Sequence, residues 1–203
     1  MQLDEIVADF ARSIERVDAG APQAVNSRSK ESFQPGIGPH SESVTVEMVT
    51  SDMAKSPKYS GLIETGVPYP DAPRQKCDFC IGKERSWEWA VEVKMLRMLG
   101  DNGKPNDNIL MHILSPYPEH RSAVTDCEKL ASSKLGRRNA ILIYGYEAQE
   151  FPLIRAIDAF ETVAASRAKL GQRIAAPFGG LIHPVHSAGQ VFAWELNPGL
   201  ASA

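Results

Sequence analysis

Apolar residues recur along this chain with two different periods. Ile6, Phe10, Ile14 and Val17 share one stripe of a helix predicted over Leu3–Val17. A second helix starts with Ser41 as its N-cap and ends near Pro57. Its positions Glu42, Val46, Val49 and Met53 fall on one face, so Glu42 points with the apolar stripe, while Glu47 lies well around the cylinder. Between the helices, Ala19–Gly38 is rich in Gly, Pro, Ser and Asn and reads as a linker. Tyr59–Thr65 reads as a weak strand, and Gly66–Pro73, with three prolines, as a loop. Lys76–Ile81 and Trp89–Arg97 have strand character and are joined by Gly82–Ser86, which predicts an antiparallel hairpin.

Beyond a polar turn at Asp101–Asp107, the apolar run Ile109–Leu114 fits either a strand or a short helix. Ser122–Lys134 reads as a helix with Val124, Cys127 and Ala131 inward, and Arg138–Tyr146 as a buried strand. Leu153, Ile157, Phe160 and Ala164 mark a further helix. Gly180–His186 and Gln190–Leu196 read as a closing β-hairpin. The fold class this order predicts is α/β (mixed α+β), a central mixed β-sheet flanked by helices. The expected division is an N-terminal helix and linker over 1–38, then a domain over 39–203 with a C-terminal helix and hairpin extension.

Composition narrows the setting. The chain has 203 residues, 43% hydrophobic and 23% charged, ordinary values for a globular protein. No apolar run approaches the roughly 18 residues that a membrane helix needs, and the acidic start Met-Gln-Leu-Asp-Glu is not a signal peptide. Cys77, Cys80 and Cys127 make an odd count without a disulfide framework, which fits a reducing cytoplasm.

Candidate chemistry begins in Trp89–Arg97. Glu92 and Lys94 share one face of that strand, while Val91, Val93 and Met95 take the other. A charge buried without a partner costs several kcal/mol, roughly 3–5 when one member of a pair is missing. A wholly apolar strand would be more stable, so the acid and the lysine point to chemistry. Asp78 lies fourteen residues earlier, on the other arm of the hairpin, and can stand beside Glu92. Converging carboxylates suit a hard divalent cation with open positions for water and phosphate. A lysine beside them can orient or deprotonate water and offset phosphate charge.

In these residues the chain resembles the restriction-endonuclease-like nucleases, whose signature is PD-(D/E)XK. Asp78, Glu92 and Lys94 match the signature, and Cys77 stands where it has proline. The order helix, strand, strand, strand, helix, strand over about Ser41–Tyr146 is the αβββαβ core order of that fold. The resemblance implies Asp78, Glu92 and, from the preceding helix, Glu42 as metal-holding residues, with Lys94 completing the catalytic set. It implies Mg²⁺, with Mn²⁺ as a substitute, and a DNA endonuclease hydrolysing phosphodiester bonds in restriction or other defence. The alternative is a catalytically silent nuclease-fold subunit for binding or assembly. Implied partners are DNA and either a second copy or a defence-system protein.

A net charge of −3 means that DNA must be held by a local basic patch. The candidates are Arg74 and Lys76, Lys83 and Arg85 in the hairpin turn, and Arg137 and Arg138 after a helix. Two further groups suggest zinc. Cys77 and Cys80, three apart on a strand, are expected on opposite faces, and His183 and His186 meet the same objection unless Pro184 breaks the strand. Buried free thiols and hairpin histidines are the expected states.

Overall fold

A computed structural model describes residues 1–26 and 30–198; linker residues 27–29 and the last five residues, 199–203, lie outside the described set. Helices α1 (Leu3–Ala19) and α2 (Glu42–Met53) precede strands β1 (Ile63–Tyr69), β2 (Ala72–Lys83) and β3 (Ser86–Arg97). A short α3 (Met111–Leu114) and α4 (Ala123–Ser132) lead to β4 (Gly136–Tyr146), and α5 (Leu153–Ala164) leads to β5 (Ile174–Gly179) and β6 (Ala188–Leu196). The six strands form one mixed sheet in the order β1-β2-β3-β4-β6-β5. The expected α/β class is the class observed.

Strand alternation builds two cores, one on each face of the sheet. Trp89, Val91 and Val93 of β3, with Ala140, Leu142 and Tyr144 of β4, face α1 and α2. Ala90 and Leu96 of β3, with Ile141 and Ile143 of β4, face α4 and α5. β3 and β4 run parallel and pair from Trp87↔Gly136 to Arg97↔Tyr146. A parallel pair covered on both faces explains why β4 is apolar from Ala140 to Tyr146. α1 joins the first core through Ile6, Phe10 and Ile14, and Ile37 joins it too, so both pack within the same body as the rest. No helix among the described residues is long and apolar enough to cross a membrane.

Two expectations about elements are corrected, and one left open is resolved. Much of the proline-rich 66–73 segment is strand: β1 runs to Tyr69 and β2 starts at Ala72, leaving only Pro70 and Asp71 between them. Pro68 lies on β1, an edge strand, where a missing N–H removes no interior ladder bond. The strand paired with β6 is Ile174–Gly179, and 180–187 is a loop. Pro177 stands on that strand, again at an edge. Ile109–Leu114 resolves to irregular chain and the one-turn α3.

The loop after β5 is tied to α1 by one buried carboxylate. Asp18, 1% exposed, accepts from the Ile37 amide at 2.8 Å and the Ile182 amide at 2.7 Å. Gly36 has φ +115°, and a Cβ there would lie 2.8 Å from Asp18 Oδ1. His183 and His186 stack nearby at 4.7 Å, and His186 meets Asp101 at 3.1 Å. They sit on an irregular loop, so the opposite-face argument does not apply to them. Asp18→Ala leaves two buried amides without an acceptor, and the expected loss is about 2–4 kcal/mol. Asp18→Asn, which keeps one acceptor oxygen, is expected to fall between; denaturant unfolding measures both, and an unchanged midpoint for Asp18→Ala would refute this role.

Candidate active site

β2 and β3 pair as an antiparallel ladder from Lys83↔Ser86 to Phe79↔Val91 and stop there. Past that point the edge of β3 that faced β2 has no strand beside it. Two amides two residues apart, Val93 and Met95, lie on that edge. Each is taken by a carboxylate: Val93 N–H donates to Asp78 Oδ2 at 2.7 Å, and Met95 N–H donates to Glu42 Oε2 at 2.6 Å. Asp78 reaches because β2 turns away at its own position. Glu42 reaches because α2 starts there, with Val46, Val49 and Met53 buried behind it.

The departure at Asp78 also overturns the reading of the two cysteines. Cys77 and Cys80 both enter the core facing α4 and α5, and the Cys77 Sγ–H donates to Val91 O at 3.3 Å. A regular strand would separate them; where β2 leaves β3, the Cys77 thiol reaches the freed edge of β3 at Val91 O. All three cysteines are free and buried. Cys80 beside Cys77, together with burial, raises the Cys77 thiol pKa well above its usual range.

On the face of β3 toward α4, Glu92 and Lys94 meet Asp126 and Lys129. Glu92 is 2% exposed, and its Oε1 accepts from the Tyr69 hydroxyl at 2.6 Å and from Lys129 Nζ at 2.7 Å. Lys129 Nζ also contacts Asp126 Oδ1 at 2.8 Å, and the other oxygen of Asp126 lies 2.7 Å from Lys94 Nζ. Lys94 is 3.7 Å from Glu42 Oε1. The result is a chain of alternating charge: Glu42, Lys94, Asp126, Lys129, Glu92. Asp78 stands against Glu92, close enough to raise its pKa by charge and by a shared hydrogen bond.

These groups open into a cavity of about 650 Å³ lined by Asp78, Glu92, Lys94, Asp126 and Lys129, with Arg74, Lys76 and Arg121 also on its wall. Arg74, Lys76 and Asp78 are alternate residues of β2, so one strand face supplies all three. Glu42 is behind Lys94 rather than on the cavity wall. Asp126 and Lys129 do not stand out in a sequence where the inward stripe Val124, Cys127 and Ala131 dominates the helix. Ser122, Asp126 and Lys129 are spaced by four and three, a polar face beside that stripe, and this was the available signal.

The other expected cations do not gather here. Lys83 and Arg85 are exposed in the turn at the far end of the hairpin, about 20 Å of strand from Glu92 at 3.3 Å per residue. Arg85, Arg137 and Arg138 line a separate cavity of about 410 Å³. Arg138 is committed to Glu195, with Nε at 2.8 Å and Nη2 at 2.6 Å, and lies 4.0 Å over the Trp89 ring. Trp89 faces the opposite core from Glu92.

Burial pushes the Glu92 carboxyl well above its usual range, and Asp126 and Asp78 push it the same way. Burial likewise raises Glu42, against the pull of Lys94 and the Met95 amide. Burial opposes the charge on Lys94, but Asp126 and Glu42 outweigh it and hold the ammonium form firmly. Lys129 is raised in the same manner by Glu92 and Asp126. Four carboxylates thus face two ammonium groups, leaving two negative charges unbalanced when all are ionised. Among the described residues no three His, Cys, Asp or Glu side chains stand in a metal-holding arrangement, and the two ammonium groups lie between the acids.

Comparison with protein-family models, with curated proteins and with solved structures found no match.

Because the folded Glu92 keeps its proton to higher pH than the ordinary 4.5, protonation stabilises the fold below that value. The contribution fades as pH rises through the raised folded pKa. Glu92→Gln cannot lose a proton and still accepts from Tyr69 and Lys129. In chelator at pH 7 it is expected to melt about 2–4 °C above the wild type, the shift that roughly 1 kcal/mol gives a chain of this size. The gap should close as pH falls to about 4. A lower melting temperature for Glu92→Gln at pH 7 would contradict the unbalanced-acid account.

Proposed function

We propose that the chain is a metal-dependent phosphodiesterase acting on DNA, with Mg²⁺ as the natural cation and Mn²⁺ as a substitute. The observation that carries this reading is the gathering of Asp78, Glu92 and Asp126 around Lys94 and Lys129 at the floor of a cavity whose wall also carries Arg74, Lys76 and Arg121. Ion pairs kept only for structure balance their charge, because an uncompensated buried carboxylate is costly. When all are ionised, four acids sharing two lysines leave a deficit of two charges, that of one divalent cation. Oxygen-only donors, with Asp78 and Glu92 adjacent, suit a hard ion.

Asp78 and Glu92 are the residues that would hold the cation, with Asp126 completing the set from α4. Glu42 acts one step back. It fixes the Met95 end of β3 and faces Lys94. A bound Mg²⁺ would supply a polarised phosphate oxygen and a water made more acidic. Lys94 stays charged at neutral pH, so it orients the attacking water and offsets charge growing on the phosphate rather than taking a proton. Arg74, Lys76 and Arg121 contact the phosphates of the strand on either side of the scissile bond. A catalytically silent binding subunit is the opposing outcome of the same experiments.

Purified protein is expected to nick plasmid DNA with Mg²⁺ or Mn²⁺ and not with EDTA. Asp78→Asn should weaken metal binding measured by calorimetry, with turnover partly restored by excess Mn²⁺. Lys94→Met should bind metal no more weakly than wild type yet lose about 10²–10³-fold in turnover, the scale of one transition-state charge contact. Full turnover in Lys94→Met would end the catalytic assignment of that residue.

Affinity for DNA should fall with salt at a slope of about −0.9 per duplex phosphate contacted, and Arg74→Glu with Lys76→Glu should flatten that slope by about two. Reversal of Arg137 and Arg138 should alter it much less, since they lie away from the cavity. Salt-independent binding, or equal effects from the two pairs, would remove DNA as the ligand of this cleft.

A further inference from the structure

The same cavity holds a feature that a simple metal site does not need. Lys129 Nζ lies 2.7 Å from Glu92 Oε1 and 2.8 Å from Asp126 Oδ1, so a single positive charge bridges two carboxylates from different elements. Building on the metal-dependent reading above, we propose that the Lys129 ammonium occupies the cation position of the site, and that a divalent metal binds by displacing it.

The geometry distinguishes Lys129 from Lys94. Lys94 is anchored on a central strand, its side chain 11% exposed and wedged between Asp126 and Glu42. It has no ion pair with Glu92 among the described contacts. Lys129 stands on α4 at the cavity wall with its side chain 26% exposed, so it has an open path outward. It also lies 5.0 Å over the Tyr69 ring, whose face attracts an ammonium. When Lys129 leaves, the Tyr69 hydroxyl still holds Glu92 Oε1 at 2.6 Å, so the acid keeps its orientation.

The bridge also accounts for the acids not standing as a metal cage: Glu92 and Asp126 are each oriented toward an ammonium. The lysine works as a tethered competitor. It keeps the acids paired when metal is scarce, sets a threshold of metal concentration, and on displacement places a free cation at the cavity wall, where phosphate oxygens arrive. Lys129 is thus a positioning residue, distinct from Lys94.

Calorimetric titration of the intact chain with MnCl₂ tests this without an activity readout. Lys129→Gln keeps a polar side chain, one atom shorter, and loses the charge. It is expected to bind Mn²⁺ about tenfold or more tightly than wild type, as removal of a like charge a few ångströms from the incoming ion implies. Lys129→Arg keeps the charge and should bind no more tightly than wild type. If Lys129→Gln does not fold by circular dichroism, Lys129→Met takes its place. Wild type and the neutral variant binding equally, or the neutral variant binding more weakly, overturns the competitor role and leaves the metal reading standing. No Mn²⁺ binding at millimolar concentration in any of the chains overturns the metal reading, and this inference with it.

Discussion

The organisation of the cleft depends on one constraint: β3 must satisfy its backbone amides after β2 has left it. A buried or half-buried N–H without an acceptor costs about 1–3 kcal/mol, and here two occur in succession. Asp78 and Glu42 meet that need with carboxylates, which brings two acids to the interior edge of a strand. Their charge then has to be met. Lys94 answers Glu42, Asp126 answers Lys94, Lys129 answers Asp126, and Glu92 closes the series beside Asp78. A single divergence in a hairpin therefore organises residues from α2, β2, β3 and α4.

Such an arrangement is poor as a stabilising device. Well-packed apolar residues in place of a buried charge cluster are often neutral or better, by about 1–4 kcal/mol. The surrounding packing is what tolerates it: α1 and α2 on one face and α4 and α5 on the other bury most of the remaining positions of β3 and β4. The rigidity of the parallel β3–β4 pair also fixes where Glu92 and Lys94 stand, since each has a backbone partner on β4, Ile141 and Ile143.

Much of this was legible in the sequence, for local reasons. The helix face carrying Glu42 with Val46, Val49 and Met53, and the alternation that set Glu92 and Lys94 apart from Val91 and Val93, are properties of single elements, and they survive in the fold. Arg74 and Lys76 were visible as cations near Asp78. What was not legible depends on contacts distant in sequence. Asp126 and Lys129 become part of the cleft only once α4 is laid over β3. The shared side of Cys77 and Cys80 depends on a backbone departure that strand alternation cannot anticipate. Arg138 looked like a free cation because its partner, Glu195, is fifty-seven residues away. Prolines misled in the other direction: those of 66–73 suggested a loop where the chain ends β1 and starts β2.

Two prolines have a consequence for how copies of the chain can meet. Pro68 lies on β1 and Pro177 on β5, the first and last strands of the sheet. An outer strand offers unpaired N–H and C=O groups to any passing strand, and a proline removes a donor from that row and obstructs a neighbour's approach. With one on each side, the sheet is less open to lengthening by a second molecule in either direction. Assembly of this chain is thereby steered away from continuous sheets and fibre-like stacking, and toward contacts made by its helices and loops.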